Sequence, residues 1–297
     1  MPRTSHNNQN NLTSGIKCKY CGSNQTVKYG SYHNIQRRFC KNCQRKFADN
    51  DSPPNMRTPS VQIASALGMF YEGMSLNAIR THLLQTFGSA ISNSTIYEWI
   101  LKFSKMAVSA EQLYSKKQTK KVSGLLGHGP FWIINETVLQ IEGENAFIWD
   151  VMDTWSRFLL TSYVTHTRTA KDIKSAFNSA MERNGEIPGL IITNRLRSYT
   201  EGVELAFGSD AMHVQTTGNI HPKANYIDIF FSPLRKRNKT LRSIKKNKNA
   251  NLVVNSWLVY YNFFRPNIGL GNSIPAHKAG IEFPCRTWLD IVEKEYM

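Results

Sequence analysis

From Pro59 onward, apolar residues recur at helical spacing, with Ile63, Leu67 and Phe70 on one side. Glu72-Gly73-Met74 breaks that run. Ser75 then stands where it can cap a second helix carrying Leu76, Ile79, Leu83 and Leu84. After Gly88, Ser94 is placed to cap a third helix with Ile96, Trp99, Ile100 and Phe103. Three short helices with a tight turn predict a helix-turn-helix unit over residues 56–110, read by the helix from Ser94. Residues 111–128, with Lys116-Lys-Gln-Thr-Lys-Lys, form a basic linker, and the pattern then turns strand-like. Apolar runs at 131–134 and 137–141 flank Asn135 and Glu136, a turn follows at Glu142–Asn145, and Ala146–Val151 returns. Phe158–Val164 reads as a third strand, Thr169–Arg183 as a helix ending before Gly185, and Leu190–Ile192 as a short buried strand. A helix from about Ser198 to Phe207 and a last strand at His213–Gln215 complete the alternation. From Asn225 the chain reads as helical, with Trp257, Tyr260, Tyr261 and Phe264 as aromatic packing. The expectation for residues 129–285 is an α/β domain, a mixed sheet flanked by helices, with 286–297 as a tail.

Before the helices, residues 1–15 are rich in Asn, Ser and Thr and read as a disordered tail. Residues 16–48 hold the cysteines, and Asp49–Asn55 is a linker of turn formers. No stretch approaches the roughly 18 apolar residues of a membrane span, and the N-terminus has no signal-like apolar run. A cytoplasmic, nucleoid-associated protein is the expectation.

The formal net charge is +16, and it is concentrated. Residues 1–60 carry ten Lys/Arg against Asp49 and Asp51, and residues 229–248 carry eight with no acid. Each segment is net +8, so the remainder balances. Two dense cationic segments suit a polyanion, whose counterions lysines and arginines displace. DNA is therefore the expected partner.

Four of the five cysteines form two close pairs, Cys18-Lys-Tyr-Cys21 and Cys40-Lys-Asn-Cys43, separated by eighteen residues. Each pair on a tight turn aims two thiolates at one tetrahedral ion, and four sulfurs saturate zinc with no open position. The site is expected to be structural, because so short a module cannot build its own core. Between the pairs lie Val27, Tyr29, Tyr32, Arg37, Arg38 and Phe39, a mixture suited to nucleic acid. Arg37 and Arg38 are the candidate contacts.

Several phrases together resemble a known family. They are Trp132-Ile-Ile-Asn-Glu-Thr-Val-Leu, Trp149-Asp-Val-Met-Asp, Arg157-Phe-Leu-Leu and Thr167-Arg-Thr-Ala-Lys-Asp172. Further on stand Ile191-Ile-Thr-Asn-Arg-Leu-Arg-Ser-Tyr199, Asn225-Tyr-Ile-Asp228, Tyr261-Asn-Phe-Phe-Arg-Pro266 and Ile274-Pro-Ala-His-Lys-Ala-Gly-Ile281. This stretch resembles DDE transposases of prokaryotic insertion sequences, the archaeal type above all. The resemblance implies an RNase H-like, integrase-like domain, preceded in many relatives by a zinc ribbon and helix-turn-helix. It also implies DNA as substrate and assembly into dimers or larger synaptic complexes. Such enzymes hold two Mg²⁺ ions on three carboxylates, with the ions roughly 4 Å apart.

The resemblance breaks at that centre. The triad positions here are Asn135, Asn194 and Asp228, so formal ligand charge falls from −3 to −1. Amides offer neutral oxygens and cannot neutralise two dications, so a magnesium pair is disfavoured. Pro233 follows Asp228 by five residues and is expected to kink or end its helix. Asn267 stands where the family usually has His. Glu136 should face away from Asn135, and one of Asp150 and Asp153 should face the pocket. The basic run Arg235, Lys236, Arg237, Lys239, Arg242, Lys245 and Lys246 survives, in a region that lies beside DNA in relatives. Three readings follow. The first is a transposase-derived DNA-binding protein impaired in strand cleavage. The second is an active transposase with an unorthodox metal site, and the third a zinc-dependent assembly protein without catalysis.

Overall fold

The computed structural model describes residues 15–32, 34–115, 130–216, 230–234 and 247–293. The chain divides into two compact units, Met1–Ala64 with Leu289–Met297, and Ser65–Trp288.

In the first unit, strands β1 (Thr26–Tyr32), β2 (Ile35–Cys40) and β3 (Lys46–Ala48) form an antiparallel sheet in that order. Two tight turns carry the cysteine pairs. The Gly22 N–H donates to the Cys18 carbonyl, and the Gln44 N–H to the Cys40 carbonyl. Gly22 and Gln44 take φ of 68° and 58°, the left-handed conformation that closes each knuckle. Among the described residues of the ribbon, the buried apolar cluster is Cys18, Cys40 and Phe47, with Tyr20 and Cys43 packed against it.

Helix α1 (Ser60–Tyr71) enters the second unit at Ser65, and α2 (Leu76–Phe87) begins at Ser75, whose Oγ accepts the Ala78 N–H. Gly88 ends α2 in the left-handed region, donating to the Leu83 and Leu84 carbonyls. Helix α3 spans Asn93–Ser115. Ser92 rather than Ser94 caps it, its Oγ accepting the Thr95 N–H at 3.1 Å. Ser94 is already inside the first turn, two residues too late to serve. The helix also runs to Ser115, past the expected linker boundary. Its inner row is Ile96, Trp99, Ile100, Phe103 and Ala107, and the buried Glu111 continues it.

The main sheet comprises β4 (Phe131–Ile141), β5 (Glu144–Asp153), β6 (Leu159–Thr165), β7 (Leu190–Thr193) and β8 (Met212–Gln215). Its order is β6-β5-β4-β7-β8. The first three strands are antiparallel; β4–β7 and β7–β8 are parallel. β4 runs unbroken through Asn135 and Glu136, because both pair with β5. Helix α4 (Ala170–Asn184) starts with a reciprocal Thr169–Asp172 capping box and ends at Gly185; α5 (Arg197–Phe207) follows β7. Trp132 and Phe177 meet Phe207, and Trp149 meets Tyr199, so α4 and α5 cover the Trp132/Trp149 face.

Helix α6 (Asn247–Val259) continues through a wider turn, Tyr260–Phe264. Trp257 stacks on Tyr261, and Tyr71 stacks on Trp288 at 4.7 Å. The fully buried Tyr71 hydroxyl bridges Ser104 of α3 and Ser256 of α6. Short helices α7 (Pro275–Lys278) and α8 (Trp288–Glu293) complete the described chain. β6 is an open edge of the sheet. Val108, Glu111 and Gln112 of α3 face its residues Leu160–Val164 across a cleft of about 480 Å³. An Arg183–Glu111 ion pair of 3.1 Å joins α4 to α3 there. Ser65–Trp288 cluster as one compact unit. Among the described residues, no helix is long and apolar enough to cross a membrane.

Candidate functional site

The parallel register of β4 and β7 decides where the first two triad positions fall. Phe131 pairs with Leu190 and Ile133 with Ile192. Two residues further, the same register sets Asn135 beside Asn194, immediately past the end of β7. Asn194 Oδ1 accepts the Leu196 N–H at 2.9 Å, an Asx turn that launches α5. A carboxylate would accept the same bond, so the fold tolerates either residue.

On its other side Asn135 faces Asp150, its direct cross-strand partner in β5. Partners in an antiparallel ladder share a face. Asp150 is fully buried and in turn faces Ser162 of β6, whose hydroxyl donates to Asp150 Oδ1 at 2.6 Å. Ser162, Asp150 and Asn135 thus form one row across three strands, with Asn194 just past the end of the fourth. Nearby, burial pushes the Tyr261 hydroxyl up to about 12; Arg157 and Arg265 oppose this and Asp150 adds to it.

Glu136 and Asp153 turn away. Glu136 forms a two-pronged ion pair with Arg168 on the α5 side. Asp153 Oδ2 accepts from the Ser156 backbone N–H and hydroxyl, holding the β5–β6 turn, and burial raises its pKa. Of the two candidate acids in β5, then, Asp150 is the one on the Asn135 face.

Asn267 is almost fully buried. Its Nδ2 donates to the Tyr261 hydroxyl at 3.1 Å, and its Oδ1 accepts the Gly269 N–H at 3.0 Å. It organises the loop after Pro266 and aims no free group at the row of asparagines. Arg157, at φ 55°, packs against Gly269, and its guanidinium lies 5.2 Å from the Phe230 ring centroid. The unusual φ of Arg157 carries no signal in residue type.

Asp228 lies outside the described residues, as do Arg235, Lys236, Arg237, Lys239, Arg242, Lys245 and Lys246. Just after Asp228, Phe230 and Phe231 are helical, and Ser232–Leu234, with Pro233, tighten to a 3₁₀ turn.

In the ribbon, the sulfurs of Cys18, Cys21, Cys40 and Cys43 all lie within 4.8 Å of one another. Cys18–Cys43 and Cys21–Cys40 are each 3.6 Å apart. A tetrahedral zinc with Zn–S of about 2.3 Å needs sulfurs about 3.8 Å apart, so the donor set and spacing fit that ion. Burial pushes the Cys18 thiol up to about 12, while the Ser23 backbone N–H holds Cys21 down to about 6. The other cysteine, Cys285, is buried elsewhere.

The two candidate arginines part ways. Arg38 is 5% exposed and pairs with Asp49 at 2.7 Å, so its guanidinium is committed to the ribbon. Arg37 is exposed. Alternation along β2 explains this, because Arg38 shares its face with Cys40 and Arg37 does not.

A sheet ordered 3-2-1-4-5 with three antiparallel strands, two parallel ones and flanking helices is RNase H-like. Within that class, residues 130–266 match the family model of a DDE domain, that of IS240-type transposases, and this part of the chain is a DDE transposase-type domain. No curated protein matches the chain. Among solved structures, the HTLV-2 integrase catalytic core domain in complex with magnesium is similar at 18% identity and a TM-score of 0.40. That match covers 52% of this chain and 97% of that one. The catalytic core domain of BIV integrase is similar at 14% identity and a TM-score of 0.38, covering 50% and 91%. A simian T-cell lymphotropic virus intasome in complex with PP2A regulatory subunit B56 gamma gives 11% identity and a TM-score of 0.38, covering 76% and 73%. Likenesses this distant carry nothing about ligands or activity to this chain.

Proposed function

We propose that this chain is a transposase-derived DNA-binding protein impaired in metal-dependent strand cleavage and transfer. The observation that carries it is the parallel register of β4 and β7, which directs Asn135 and Asn194 toward one another, neutral amides where a DDE centre holds two carboxylates. Two dications need anionic oxygens, and an amide can neither bridge them nor cancel their charge. Asn135 and Asn194, as neutral donors, do not fit a two-magnesium centre. The ribbon's sulfur cluster and the basic segments, by contrast, keep what DNA binding requires. DNA ends resembling transposon repeats and a homodimer or larger assembly are the partners this reading entails.

The test is a Mg²⁺- or Mn²⁺-dependent cleavage and strand-transfer assay on labelled duplex. The expected result is retained binding that falls steeply with salt, with no product above background. Robust nicking abolished by Asp228→Ala would sink the impaired reading. One observation favours the second reading, an active enzyme: the acid directly opposite Asn135, Asp150, lies on the pocket face. Nicking lost in Asp150→Asn would establish it.

A further inference from the structure

The two faces of the ribbon sheet are unlike. Thr26, Arg38, Cys40 and Phe47 are buried and carry the module's small core and its Arg38–Asp49 pair. The other face is fixed by register: Tyr32 pairs with Ile35, Val27 with Phe39, Phe39 with Lys46, and Arg37 with Ala48. Tyr29 joins that face at the bulge, with its ring 6.1 Å from Phe39. This face therefore presents Tyr29, Tyr32, Ile35, Arg37, Phe39 and Lys46. Tyr29 is 48% exposed and Tyr32 62%. No acid stands among them, and within residues 1–60 the only two acids are Asp49 and Asp51.

Lys46 Nζ donates to the Tyr29 hydroxyl at 2.6 Å and lies 4.0 Å from the ring centroid. The ring is thereby pre-positioned, with a cation beside it. Exposed rings spaced along a sheet and interleaved with cations are the components of a stacking platform. Rings gain by stacking only on bases whose own faces are free. In a duplex those faces are covered by neighbouring base pairs, whereas a single strand leaves them open. A duplex would use the charge of Arg37 and Lys46 but leave the two tyrosines idle.

We infer that this face of the zinc ribbon binds single-stranded nucleic acid, stacking unpaired bases on Tyr29 and Tyr32 while Arg37 and Lys46 meet the phosphates. It rests on the DNA-binding reading above and narrows it to unpaired strand at this module.

The experiment uses the zinc-loaded full chain and measures fluorescence anisotropy with a labelled single strand and a duplex of the same sequence. Tyr29→Ala and Tyr32→Ala should each weaken single-strand binding roughly 5- to 100-fold. Duplex affinity should stay within about twofold. Tyr29→Phe and Tyr32→Phe should bind as the parent does, because the rings remain. Arg37→Ala should weaken both ligands and flatten the salt dependence. Native mass spectrometry of each variant confirms that zinc is retained, so loss of fold is not mistaken for loss of stacking. Equal losses on strand and duplex, or no loss on strand, overturn the inference. Duplex binding without single-strand binding overturns it alone. Binding to neither ligand overturns the DNA-binding reading with it.

Discussion

Asn135→Asp returns a carboxylate to the first triad position, and the structure fixes what that does without metal. Asn135 and Asp150 are direct cross-strand partners, so their Cβ atoms lie about 5 Å apart. Two carboxylates at about 5 Å repel by about 3 kcal/mol at an effective dielectric near 20. Asp150 is fully buried and Asn135 half-buried, so solvent screens part of this, leaving about 2 kcal/mol. For a unit of this size each kcal/mol moves Tm by about 2–4 °C, so Tm should fall by about 4–8 °C at neutral pH. The introduced carboxyl has its pKa raised in the folded state by its neighbour. The penalty is therefore absent below about pH 4, where unfolded carboxyls are also protonated, and grows as pH rises to neutrality. Added Mg²⁺ should recover most of the loss, since a dication between two carboxylates converts repulsion into ligation. Scanning calorimetry with and without Mg²⁺, at pH 4 and pH 7, reads all three effects. An unchanged Tm at pH 7, or an equal fall at both pH values, would refute the reasoning.

Removing zinc with a strong chelator should unfold the ribbon and leave the second unit standing, because the ribbon's buried apolar cluster, among the described residues, is three residues. Hydrogen exchange should accelerate across residues 16–48 and stay slow across β4–β6; protection that survives the chelator would contradict a structural metal. Tyr71→Phe removes a hydroxyl shared by two buried serines, Ser104 and Ser256. It should cost about 1–2 kcal/mol in urea denaturation, and a change below about 0.3 kcal/mol would mean the serines find new partners.

Much of the fold was legible because it rests on periodicity. The strands of the main sheet, α4 with its Thr169 cap and α5 all fall within a few residues of the positions their apolar patterns indicate. The Cys-x₂-Cys pairs were legible for a different reason: their spacing alone makes two knuckles. What escaped was set by register or by tertiary contact. Asp150 could be placed on a neighbouring strand, but only the pairing shows it directly opposite Asn135. Arg38 looked equivalent to Arg37 until alternation put one inside with Asp49 and the other outside. Ser92 and Ser94 are equally good cap residues, and the packing of Ile96 and Ile100 selects the start. Nothing local says that α3 continues to Ser115; its last turns are held by Arg183, seventy-two residues away in sequence.

That reach of α3 bears on inheritance. It forms one wall of the cleft beside β6 and is tied to the sheet's own helix by Glu111–Arg183 and to α6 through Tyr71. A gene fragment beginning after α3 would open the cleft beside a seven-residue strand edge, a ready template for intermolecular pairing. Recombination that exchanged only the helical segment would leave the same edge uncovered. Residues 65–288 can therefore be passed on whole or lost whole, whereas the ribbon, stapled by its own metal, is the part that can be traded.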